Sequence, residues 1–255
     1  MSFKSSRALI ARARQHAESM RGIDERFHAD PVWNTLGFVE KDGDTGEFLL
    51  KRKVPQVPND DLSLIVFEAA GALRAALDHA VFFASTQRGA SPDSSSTKFP
   101  ITKMRSFLED EIKKNCRSVP QSIIDAIVRL EPYPTIGGDG RGNDILYAVA
   151  PLANVNKHRA FVPNVLSATN AAGIEIVPFS EGHSYLQPVS EWDQVKNEVT
   201  CFRASANREG AVTFQRVKFA LAIDQVGLPS DVPAYRTITM MADEVSRAVD
   251  VIAEV

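Results

Sequence analysis

Arg74, Asp78 and His79 form the densest group of ionisable residues inside any strongly apolar segment of this 255-residue chain, here LSLIVFEAAGALRAALDHAVFFA, from Leu62 to Ala84. A guanidinium can hold a phosphate or a carboxylate, and an imidazole moves protons near neutral pH. Asp78 follows Arg74 by four positions, which also suits a structural ion pair on one helix face. A second group, Asn156-Lys157-His158-Arg159, closes the segment NDILYAVAPLANVNKHRAF. Cations at a helix end also oppose the macrodipole, so this group has a plain structural reading too. If the two helices pack together, Arg74, His79 and His158 are the catalytic candidates. Asp78, Asn156, Lys157, Arg159 and, from a third helix, His16 are the binding candidates.

Helical spacing supplies the elements that must position these groups. Leu62, Val66, Ala69, Leu73, Ala76, Ala80 and Phe83 step by four and three, which predicts one buried seam on a long helix. Leu9, Ala13, His16, Met20, Ile23 and Phe27 do the same between Lys4 and His28, and put His16 on the seam itself. A core histidine satisfied by polar neighbours is the bland alternative there. Ile145, Val149, Leu152 and Asn156 predict a third helix, which Pro151 should kink or restart. Ile238, Met241, Val245, Ala248 and Ile252 predict a fourth, near the C-terminus. Shorter helical patterns run from Lys103 to Asn115 and from Pro120 to Leu130, with Ser118 as the expected cap of the latter.

The remaining runs read as strands and turns. Two apolar runs flank Lys41-Asp42-Gly43-Asp44-Thr45-Gly46 and predict a β-hairpin from about Trp33 to Val54. Asp42, Asp44 and Glu47 lack the full twelve-residue pattern of a calcium loop, so turn chemistry is expected and no metal is assigned. AFVPNVL, GIEIVPF, EVTCFRAS and AVTFQRVKFALAI are β-branched and aromatic, and predict a small antiparallel sheet. The glycine-rich run from Gly137 to Gly142 has no strand before it and no Gly-Lys-Ser/Thr after it, so it reads as a surface loop. The expected fold is α+β: a helical bundle of about four long helices with a β-hairpin and a small antiparallel sheet. Residues 1–160 would form a mainly helical unit with the inserted hairpin and 161–235 a β-rich segment. Residues 236–255 would pack back as the last helix of one integrated domain.

Composition narrows the setting. A net charge of -3, with 44% hydrophobic and 24% charged residues, is ordinary globular material and gives no global attraction to nucleic acid or membrane. No stretch is long and apolar enough to span a bilayer, and the N-terminus lacks the apolar core of a secretory signal. Cys116 and Cys201 stand far apart without ligand spacing, so both are expected to be reduced and buried. A cytoplasmic protein without a cofactor is the expectation.

Leu73-Arg74-Ala75-Ala76-Leu77-Asp78-His79, Phe99-Pro100-Ile101, Glu131-Pro132-Tyr133 and Asn154-Val155-Asn156-Lys157-His158-Arg159 together resemble a family of uncharacterised bacterial proteins with an LRSALDH-type helix and a DKHR-type helix end. The likeness spans roughly residues 7 to 160. Ala72 and Ala75 stand where polar Asn and Ser would be expected, and Asn156 where Asp is usual. That family brings no activity with it. More remotely, the chain resembles HEPN helical-bundle ribonucleases, which carry an arginine and a histidine separated by four to six intervening residues on one helix. Arg74 and His79 match that spacing, and so do Arg21 and His28. The resemblance implies metal-independent RNA cleavage, or a defence- or toxin-associated role, often with a homodimer forming the site. Histidine would handle protons at the 2′-hydroxyl and arginine would stabilise the phosphate. Yet five positions at about 100° each set Arg74 and His79 about 140° apart around a helix. The alternative is a non-catalytic binding or interaction protein, with Arg74, Asp78 and the histidines in a structural network. A His16, His79 and His158 metal site has no support from spacing.

Overall fold

The computed structural model describes residues 3–34, 37–55, 59–93, 96–135, 140–155, 164–166, 174–176, 186–193, 195–204, 212–214, 220–223, 228 and 232–255. In chain order these form α1 (Lys4–Ala29), β1 (Phe38–Lys41), β2 (Phe48–Lys53), α2 (Asn59–Gln87), α3 (Leu108–Asn115), α4 (Gln121–Arg129) and α5 (Asp144–Val155). Six short strands follow: β3 (Asn164–Leu166), β4 (Ile174–Ile176), β5 (Leu186–Asp193), β6 (Glu198–Ala204), β7 (Val212–Phe214) and β8 (Ala220–Ala222). Helix α6 (Ala234–Glu254) closes the chain.

Helix α2 is the central element, packed on α1, α5 and α6. All seven residues of its predicted seam are buried, and so are Ala70, Leu77, Val81 and Ala84. The buried face is wider than a seam because neighbours approach α2 from several sides. Each fully buried leucine there, such as Leu73 or Leu77, contributes roughly 1.5–3 kcal/mol. On α1 the buried row is Ser6, Ile10, Ala13, Ala17, Met20, Ile23 and Phe27. Ile10 and Ala17 thus replace Leu9 and His16, which stand at the edge of that row and are half-buried.

Two contacts fix the direction of α1 against α2. Phe3 meets Phe83 edge-on at 4.9 Å between ring centroids, and His16 meets Glu68, so the helices run antiparallel. Arg7 pairs with Asp250 at 3.5 Å and Arg14 with Asp243 at 2.9 Å. The seven-residue step on both helices sets α1 antiparallel to α6 as well, in the manner of flanking charges along a helical seam. These pairs are exposed and contribute at most about 1 kcal/mol each, so they select register more than they stabilise.

The hairpin is shorter than expected: Trp33 lies in a 3₁₀ turn, Pro31–Asn34, ahead of β1. Its turn works as the sequence predicts. Asp42 accepts the Asp44 amide at 3.0 Å and the Thr45 hydroxyl at 2.9 Å, and Gly46 takes φ +73. The hairpin does not stand apart from the later strands. It joins β6 and β5 in one antiparallel sheet of order β1-β2-β6-β5, while β3 pairs with β8 and β4 with β7. One apolar cluster contains residues of α1, α2, α5 and α6 together with Leu50, Val199, Phe202 and Leu221.

Two local expectations change. Pro120, not Ser118, stands at the N-cap of α4, where its carbonyl accepts the Ile123 and Ile124 amides at 3.0 and 3.2 Å and no side chain caps the helix. Pro151 lies inside α5 and starts no second helix. Among the described residues no helix is long and apolar enough to cross a membrane.

Candidate functional site

Arg74 and Asp78 act as one device. The Arg74 Nη2 lies 3.2 Å from Asp78 Oδ1, and both side chains are about three-quarters buried. The Phe99 backbone bridges the two side chains. Its amide donates to Asp78 Oδ1 at 2.8 Å, and its carbonyl accepts from Arg74 Nη2 at 2.7 Å. The i, i+4 spacing of α2 places donor and acceptor side by side, so one residue's backbone is held at both of its polar groups. The Phe99 ring is fully buried.

Neighbouring bonds extend this clamp. Lys98 N–H donates to the Asn115 carbonyl at 3.0 Å, the Cys116 thiol donates to the Lys98 carbonyl at 3.5 Å, and Thr102 N–H donates to the Pro132 carbonyl at 3.0 Å. Burial holds the Asp78 carboxyl above the usual carboxylate range, although Arg74, the Phe99 amide and Lys98 all act the other way. Burial, with the nearby Asp78 charge, pushes the Cys116 thiol up to about 12. Cys116 and Cys201 are both free and buried.

His79 sits apart from this clamp. It is exposed, and no hydrogen bond or ion pair joins its side chain to another described residue. The helical twist that sets it about 140° from Arg74 also turns it away from the Phe99 segment. His16 faces α2 one-sixth exposed, with Nε2 3.6 Å from Glu68 Oε2. That separation is too long for a hydrogen bond, and the buried Nε2 has no hydrogen-bond partner among the described residues. Glu68 precedes His79 by eleven positions, about 16 Å along the helix, so the two histidines do not converge. Asn156, Lys157, His158 and Arg159 lie outside the described residues. Helix α5, which leads to them, packs on α2.

The second Arg and His match, on α1, is occupied by local ion pairs. Arg21 contacts Glu18 at 2.7 Å and Glu25 at 3.6 Å, and His28 lies 3.6 Å from Asp24.

A further polar junction ties the loop before α5 to α6, and spacing alone did not single it out. Asn143 Oδ1 accepts the Leu146 amide at 3.0 Å, capping α5. Its Nδ2 donates to Glu244 Oε1 at 2.5 Å and to the Leu130 carbonyl at 3.4 Å. Burial alone would raise Glu244, but the bonds from Arg247 and Asn143 outweigh it and hold the carboxyl below the usual range. Asp144 accepts both the amide and the hydroxyl of Thr135, at 2.8 and 2.7 Å. Gly142 takes φ +134, and a Cβ there would stand 2.7 Å from the Tyr133 carbonyl oxygen. The signal was present as Gly-Asn-Asp directly before an apolar helical run.

On the sheet, Arg203 gathers Glu191 at 2.9 Å, Glu47 at 3.6 Å and Asp42 at 3.7 Å. These carboxylates surround a cation of the chain itself. Among the described residues no group of three His, Cys, Asp or Glu is arranged to hold a metal ion. Comparison of the chain with protein family models, curated proteins and solved structures gave no significant match.

Proposed function

We propose that this chain is a non-catalytic binding or interaction protein in which Arg74 and Asp78 serve the architecture. The observation that carries this reading is the pair of hydrogen bonds at the Phe99 backbone, whose carbonyl accepts from Arg74 and whose amide donates to Asp78. With Nη2 committed to the Phe99 carbonyl and the Asp78 carboxylate, a phosphate at that end of the guanidinium would have to displace both. The same bonds account for the joint presence of the Arg-Ala-Ala-Leu-Asp and Phe-Pro-Ile stretches, since each is the other's partner. Two free, buried cysteines fit a reducing, cytoplasmic setting.

A metal-independent RNA-cleaving protein is the second reading, and one observation favours it: His79 is exposed, so its imidazole is open to a substrate. RNA would then be the substrate, and a homodimer could bring a second arginine to His79. Incubation of purified protein with single-stranded RNA in EDTA separates the two. The first reading predicts no cleavage above a His79→Ala control. Cleavage that His79→Ala abolishes, with the melting temperature unchanged, would establish the second.

A further inference from the structure

The segment from Thr97 to Thr102 belongs to no helix or strand, and yet, besides the local bonds of the Thr97 amide to the Asp93 carbonyl and of the Thr102 hydroxyl to the Met104 carbonyl, five hydrogen bonds hold it to the rest of the fold. They run to Asp78 and Arg74 on α2, to Asn115 and Cys116 at the end of α3, and to Pro132 beyond α4. None of the five belongs to the internal ladder of a helix. All of them can break while every helix keeps its own bonds, which is the condition for a separately opening unit. Opening also frees the Arg74 and Asp78 side chains, each about three-quarters buried in the closed form, from the Phe99 backbone. Opposing it are the fully buried Phe99 ring and the buried Pro100.

We propose that Thr97 to Thr102 is a strap that opens as a unit, ahead of global unfolding, and that opening uncovers the Cys116 thiol and releases the Arg74 guanidinium. Cys116 is 3% exposed and donates to the strap's Lys98 carbonyl, so the closed form shields it. Burial, which pushes this thiol up to about 12, also disfavours the reactive thiolate there. The proposal stands whichever function the chain has.

Labelling kinetics test it. In a Cys201→Ala background Cys116 is the sole thiol, and its reaction with a thiol reagent is followed in native buffer beside urea unfolding of the same protein. Adding Asp78→Ala removes the acceptor of the Phe99 amide and should speed labelling about tenfold to a hundredfold. Adding Val245→Ala, in the α6 core away from the strap, should lower global stability and leave the labelling rate near that of the background. Rates that rise in both variants in proportion to lost global stability would overturn the proposal. Amide exchange in the unaltered protein is the second measurement. The Phe99 and Thr102 amides should exchange faster than those of Leu73 and Ala76, and equal protection at all four would overturn the proposal as well.

Discussion

Asp78 accepts the Phe99 amide in a place where its own charge is costly, since burial raises its pKa above the ordinary value of 3.8. Two substitutions separate these effects. Asp78→Ala leaves a buried amide without an acceptor and should destabilise the fold by about 1–3 kcal/mol. Asp78→Asn keeps an acceptor oxygen, loses the charge, and should cost less at pH 7. A carboxyl raised in the folded state contributes stability that is fully present below its unfolded value and is lost as pH rises through the folded one. Wild type should therefore gain on Asp78→Asn as pH falls from 7 toward 4. Urea midpoints across that range check this, and a gap that moves the other way would contradict it. The Arg74 and Asp78 pairing was legible, since four positions on a helix make neighbours. Its true partner was not, because Phe99 comes twenty-one residues after Asp78, beyond any rule of local spacing. His16 shows a different limit: one step of helical phase separates a seam position from the flank, and burial of Ala17 decided between them.

The long helices were legible because each buries a periodic row of apolar residues; α6 buries all five residues that predicted it. Strand β5 was not, since Leu-Gln-Pro-Val-Ser-Glu-Trp-Asp carries proline and acids and forms through pairing with β6. The glycine run before α5 shows how a loop can matter through backbone alone. Gly142 presses against the Tyr133 carbonyl, its amide donates to Glu131 at 3.2 Å, and Asn143 then caps α5 and reaches Glu244 on α6. Gly142→Ala must move that backbone and adopt a φ that L residues avoid, so we expect a loss of about 1–3 kcal/mol or more. A thermal unfolding midpoint equal to wild type would show that the loop yields without cost.

Across the whole molecule, polar side chains join elements that the apolar core has already brought near one another. Asp243 and Asp250 register α6 on α1, Asn143 ties α5 to Glu244, and Arg74 with Asp78 holds the strap on α2. Sequence periodicity predicted the bundle because burial is a local pattern repeated along each helix. The junctions escaped it because they are made between elements distant in the chain. The proposed function requires Arg74 and Asp78 to work as one architectural unit. A double-mutant cycle on global unfolding, using Arg74→Met, Asp78→Ala and both together, tests it most directly. A coupling of about 0.5–3 kcal/mol is expected, because both residues hold the same Phe99 backbone. Effects that simply add, to within about 0.5 kcal/mol, would contradict it.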